Sequence, residues 1–165
     1  MSIPICAYVI APTTVTDTVL QSCTVAEPAA GETLWDAGTA YTEGDEAIRT
    51  TTHRKYKRLI AGTTAESPET DPADPPNWLD IGATNRWAQF DNKIGTQTSG
   101  ATEVTTVLKP GNIEGLGLLE LVGKTATVTM RSAPGGVIVY TKTVNLDGSI
   151  ITSIYDWMFG EYTQR

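Results

Sequence analysis

The side chains in this sequence that are able to do chemistry are aromatic rings and carboxylates, and the rings are the better organised. Trp35, Tyr41, Tyr56 and Trp78 punctuate one stretch, which runs Trp35-Asp-Ala-Gly-Thr-Ala-Tyr41-Thr-Glu-Gly44-Asp45-Glu-Ala-Ile48-Arg, continues through His53-Arg-Lys-Tyr56-Lys-Arg58, and closes on Pro75-Pro76-Asn77-Trp78. Two uses of these rings compete. Exposed, they form a flat apolar platform on which the C–H faces of a sugar stack while nearby polar groups select its hydroxyls. Buried, they are the core of a module too small to hold itself together without them. The same four residues are therefore both the glycan-binding candidates and the core candidates.

Catalytic chemistry has little to work with. His53 is the only histidine and sits in a cationic run, with no serine or cysteine nucleophile placed by a recognisable motif. Phosphate-loop, zinc-protease and paired-cysteine patterns are absent. Glu43, Asp45, Glu46 and the loop acids Glu66, Glu69, Asp71 and Asp74 include pairs of the type that glycoside hydrolysis uses. Their setting in turns and a mobile loop offers nothing apolar to raise the pKa of an acid. The expectation is a protein that is not an enzyme, with no catalytic residues, no metal and no cofactor.

The elements that must position the rings are short strands. Residues 46–50 and 55–60 read as two strands joined by a Thr-rich turn. Alternation on the second puts Arg54, Tyr56 and Arg58 on one face and Lys55, Lys57 and Leu59 on the other, so neither face is cleanly apolar and partial exposure is expected. Gly44-Asp45 fits a turn in which glycine supplies a positive φ and the aspartate side chain bonds nearby amides. Residues 62–77, acidic and rich in proline, read as a stiff loop with almost nothing to bury.

The order W-x5-Y-x2-G-D-x2-I, then Y, then P and W, resembles the small chitin-binding-like modules attached to glycoside hydrolases and found in phage tail proteins; Trp35, Tyr41, Gly44, Asp45, Tyr56 and Trp78 carry it. The flanks extend the resemblance to a family of phage tail and tail-tip proteins with a carbohydrate-binding-like insert, through Val15-Thr16-Asp17, Leu20, Val25-Ala26-Glu27 and Asn85-Arg86-Trp87-Ala88-Gln89-Phe90-Asp91. The resemblance implies a structural virion component made in the bacterial host cytoplasm. It would assemble with other tail proteins as a homo-oligomer around the tail axis and touch a cell-surface glycan in host attachment. A connector that binds no sugar and a secreted polysaccharide-binding accessory module are the alternatives.

Composition sets the outer limits. The chain has 165 residues, 40% of them hydrophobic and 19% charged, enough for one modest core plus a smaller module. Abundant Thr, Val, Gly and Pro favour short strands and turns over long helices. A net charge of −7 repels phosphate backbones and anionic lipid, so no nucleic-acid partner is expected; the run from His53 to Arg58 is a local exception that would attract an acidic partner unless it is simply a solvated strand face. No apolar run approaches the length of a membrane span, and the first ten residues lack the basic start of an export signal, so membrane insertion and Sec-type export are not expected. Cys6 and Cys23 have neither the count nor the spacing of a disulfide framework or a zinc site and read most simply as small buried hydrophobes.

Along the chain, the expected fold is mainly β, a small antiparallel module plus a sandwich-like or jelly-roll-like body. An N-terminal arm (1–32) is expected to begin with an edge strand at 3–10. Val15, Val19 and Leu20 then follow at helical spacing behind a Thr16 or Asp17 cap, as a single helical turn or an extended segment. The module spans 33–82. The body spans 83–165, with Val104, Val107 and Leu108 in a strand, a doubly buried strand at 116–122, a hairpin from 125–131 and 137–144, and a last apolar segment at 150–159. Trp87 is expected in the body's core or at an interface. Tyr155, Trp157 and Phe159 are the interface candidates. Because relatives in the family continue beyond this point with further strands, the body is expected to leave open sheet edges that neighbouring chains cover.

Overall fold

The structure, a computed structural model, describes residues 12–63, 65–113 and 115–146. It is mainly strand with almost no helix, in several small antiparallel sheets. Two compact units divide the chain, Met1–Ile113 and Glu114–Arg165. The expected strand at 3–10, Cys6, and the segment with Tyr155, Trp157 and Phe159 lie outside the described residues.

In the first unit, Thr16 accepts from the amides of Val19 and Leu20 at 2.9 Å, a single turn, and the chain then extends as β1 (Leu20–Cys23). The helical spacing thus gives one turn and no helix. β2 (Ala40–Tyr41) leads into the Gly44-Asp45 turn, which is built as its residue types demand: Gly44 has φ +94°, and the Asp45 carboxylate accepts from the Thr42 amide at 2.7 Å. The turn is also tied to the end of a neighbouring strand, since Arg58 donates its amide to the Asp45 carbonyl at 2.7 Å and Gly44 donates to the Arg58 carbonyl at 2.9 Å.

β3 (Glu46–Arg49) and β4 (Arg54–Arg58) form the expected hairpin, and β5 (Gly62–Thr63) pairs back on β2. β6 (Trp78–Ala83) adds to the other edge of β4, with a bulge at Lys55 and Tyr56, giving the order β3-β4-β6. Residues 33–35 cover the free edge of β3, where Ile48 donates to the Thr33 carbonyl and Trp35 to the Ile48 carbonyl.

The proline-rich loop between β5 and β6 is more tightly held than its composition suggests. Pro68 is buried, and the Asp71 carboxylate accepts from the Ala73 amide and from both nitrogens of Asn77 at 3.1–3.2 Å. Glu69 pairs with Arg49 at 3.0 Å.

Within this first unit, Thr84 and Trp87 donate to Glu27, Asn85 donates its amide to Glu32, and Thr105 donates its amide to the Thr24 hydroxyl. The single 3₁₀ turn Ala88–Phe90 follows Trp87, and β7 (Thr106–Leu108) pairs antiparallel with β1. Cys23, on β1, is a half-buried free thiol that receives the Gln89 amide and the Thr106 hydroxyl.

The second unit contains β8 (Thr125–Arg131) and β9 (Ile138–Asn145), the hairpin expected from its alternation. Threonines pair across one face, Thr127 with Thr143 and Thr129 with Thr141 at 2.9–3.0 Å. Ala126, Val128, Met130, Tyr140 and Val144 share the other face. Residues 116–122 are not the doubly buried strand the apolar run suggested: they form no strand, and Leu119 and Val122 are 84% and 88% exposed. Continuous apolarity marks a wish for burial, and burial on both faces needs two covering layers, which the described residues of this unit do not supply.

Candidate binding site

Three of the four ring candidates are core. Trp78, Tyr56 and Tyr41 are 5%, 6% and 7% exposed and form, with Ala47, the cluster between the sheet and the 33–41 segment. Tyr41 meets Trp78 edge-on at 4.9 Å, and its hydroxyl accepts from the Asp36 amide at 2.9 Å. Arg58, itself buried, lies over the Trp78 ring at 5.0 Å. None of these rings presents a face on which a sugar can stack. Trp35 is half-buried against the cluster, with the Arg49 guanidinium 4.9 Å from its ring centre.

The cationic run is largely answered by its own fold. Arg54 makes a bidentate contact to Asp80 at 2.6–2.8 Å, Lys55 reaches Glu46 at 3.8 Å, Arg58 is buried over Trp78, and His53 is held by acids. Only Lys57 points its charge fully outward. Arg54 and Lys55 thus have counter-charges on neighbouring strands, whereas Arg58 is buried with its Nε and Nη1 lacking a hydrogen-bond partner among the described residues.

The most connected polar group is one that sequence reasoning did not single out for this role. The Glu27 side chain, 7% exposed, accepts from His53 Nδ1 at 2.9 Å, from the Thr84 hydroxyl at 2.6 Å and from the Trp87 indole at 3.0 Å. Arm, hairpin turn and the 84–90 segment thus meet on one carboxylate. His53 lies flat on Trp87, with centroids 4.0 Å apart and planes 22° apart, and its Nε2 contacts Asp17 at 3.1 Å. Its backbone is held at φ +55°, a left-handed conformation uncommon outside glycine, with its carbonyl accepting from the Thr84 amide. Trp87, expected in the C-terminal body or at an interface, is instead buried here in the first unit. The only signal of this node in the sequence is that Val25-Ala-Glu27 and Asn85-Arg-Trp87 both flank the module; nothing local says that they meet.

A recess of ≈ 320 Å³ opens beside this node, lined by Asp17, His53, Arg54, Phe90 and Asp91 among others. The arrangement fixes polar groups but offers no nucleophile: the Thr84 hydroxyl is bonded to Glu27 and not to the imidazole. Among the described residues, no three acidic, histidine or cysteine side chains are grouped to hold a metal ion, and no helix is long and apolar enough to cross a membrane.

Two carboxylates in this unit titrate abnormally. Partial burial of Asp80 favours its neutral form, but the hydrogen bond from Arg54 and the Gly82 amide outweigh it and hold the group below its ordinary 3.8. Asp71 follows the same balance, with burial opposed by Ala73 and Asn77, and is also lowered from 3.8. A carboxylate lowered by folding stabilises the fold above its unfolded pKa and loses that contribution as pH falls through the folded one. Urea midpoints are therefore expected to be flat from neutrality to about pH 5 and to fall below about pH 4. Asp80→Asn should remove part of that slope; an unchanged acid slope would show that the Arg54–Asp80 pair does not respond to folding.

No protein-family model, no curated protein and no solved structure matches this chain.

Proposed function

We propose that this chain is a structural and binding component of a phage tail or tail tip, one that assembles with neighbouring chains and performs no catalysis. The observation that carries the reading is the apolar surface of the second unit. Leu116, Leu118, Leu119, Leu121 and Val122 stand 43–88% exposed, and Met130, Tyr140 and Val144 on one hairpin face stand 41–48% exposed. A two-stranded hairpin is marginal by itself, and grouped exposed apolar residues mark surfaces that other chains cover. The tail assignment comes from the resemblance around the Trp35–Trp78 module and its flanks, and the Gly44-Asp45 turn supports it by adopting the geometry that pattern requires.

Between display of a glycan-binding module and a connector that binds no sugar, the burial of Tyr41, Tyr56 and Trp78 favours the connector for the module itself. Imaging of native particles tests the proposal. The expected result is density for the chain in the tail, in copies related by the tail's symmetry, with residues 115–146 against other chains. Particles that lack the chain, or that carry it with this surface open to solvent, would overturn it.

A further inference from the structure

We infer that the Arg58 guanidinium is the core of a binding site for one small inorganic anion, a halide, held inside the aromatic module. Arg58 follows Tyr56 by two residues on β4, so both side chains turn to the inner face. Its backbone is clamped by the Gly44-Asp45 turn, donating to the Asp45 carbonyl at 2.7 Å and accepting from the Gly44 amide at 2.9 Å. Trp78 stands opposite it in the β4–β6 register, which sets the guanidinium over the indole at 5.0 Å. The result is an arginine only 2% exposed. The indole face attracts the charge from one side of the guanidinium plane, but the N–H groups point along that plane and gain nothing from it. Nε and Nη1 are both buried without a hydrogen-bond partner among the described residues.

A buried lysine or histidine in this position would discharge itself by losing a proton; arginine does not, so its charge and its donors both need an answer. The nearby acids do not give it. Asp45 turns its carboxylate to the Thr42 amide at 2.7 Å, and Asp71, which acts on Arg58 through space, commits both oxygens to Ala73 and Asn77 at 3.1–3.2 Å. The indole Nε1 groups of Trp35 and Trp78 are also buried without partners, so the unanswered side-chain atoms of the module are all donors. Asp91 Oδ2, the one buried oxygen in that condition among the described residues, lies outside the module in the 84–91 segment. The occupant must therefore accept hydrogen bonds, carry negative charge and be small. A water molecule brings two protons of its own to a place already rich in donors and leaves the charge unopposed. A carboxylate or phosphate group of another molecule is too large for a guanidinium this enclosed. A halide meets all three demands, and the site belongs to the first unit whatever the chain assembles with.

The test is a titration of the full chain with sodium chloride or bromide at constant ionic strength, the balance made up with sodium gluconate, whose anion is too large to enter. Nitrogen-15 NMR should show a saturable shift of the Arg58 Nε–H signal as halide replaces gluconate. In urea, the unfolding constant should fall about tenfold for each tenfold rise in chloride once the site is mostly filled, because the ion binds the folded chain alone. Arg58→Met exchanges the charge for apolar volume, which a buried position accepts, and should fold with no chloride dependence. The proposal is overturned if halide leaves the Arg58 Nε–H signal unmoved, if the unfolding constant is the same in gluconate and in chloride, or if Arg58→Met keeps the chloride dependence. The first two readings use the unaltered chain, so a variant that fails to fold does not shield the proposal.

Discussion

Replacing Glu27 by alanine is expected to destabilise the first unit by about 3 kcal/mol, more than any other single polar substitution in it. The carboxylate is nearly inaccessible and satisfies three donors from two distant segments: His53 in the hairpin turn, and Thr84 and Trp87 in the segment after β6. Removing it strands all of them in a space that water does not readily fill, and a stranded buried donor costs about 1–3 kcal/mol. Glu27→Gln keeps the shape but turns an N–H₂ group toward donors, so an intermediate loss of about 1–2 kcal/mol is expected. Asp17→Ala, at the exposed end of the same chain of bonds, should cost less than about 1 kcal/mol. Urea unfolding of the three variants checks the order; equal losses from Glu27→Ala and Asp17→Ala would show that the node is a surface decoration.

The second large effect is at Trp78. Truncation to alanine removes the ring that Tyr41 meets edge-on and that Arg58 covers, and should cost about 3–5 kcal/mol, close to the lower end of a small domain's whole stability. Arg58 makes the loss worse, since the ring's departure leaves a buried guanidinium facing a void. Trp78→Ala is therefore expected to lose the near-ultraviolet circular dichroism of the module at room temperature, where Trp35→Phe keeps it. This bears on how sugar binding is assayed: loss of binding in Trp78→Ala would report unfolding and says nothing about a contact.

What was legible in the sequence was local. Gly44-Asp45, the strands around Ile48 and Tyr56, and the hairpin from Thr125 to Asn145 are each written into a few adjacent residues, through turn chemistry and alternation, and all appear where those residues place them. The burial of the rings was only half legible. Tyr56 and Arg58 share the inner face of β4, and a pattern that counts arginine as polar cannot see that this one is buried over an indole. Glu27 was invisible as a node because its partners lie 26, 57 and 60 residues away, and no local propensity encodes such a meeting. The 116–122 run misled for the opposite reason: its apolarity is real, but the layers that would bury it are not in the described part of its own unit.

The account rests on rings that hold a module together instead of facing a ligand, and the indole protons report this directly. Trp78 Nε1 is buried, and the Trp87 indole donates to a buried carboxylate. Hydrogen exchange of the full chain should therefore find both indole protons exchanging only on unfolding of the first unit, with neither resonance moved by neutral saccharide. A Trp78 indole that exchanges at the rate of free indole and shifts strongly on adding sugar would contradict it.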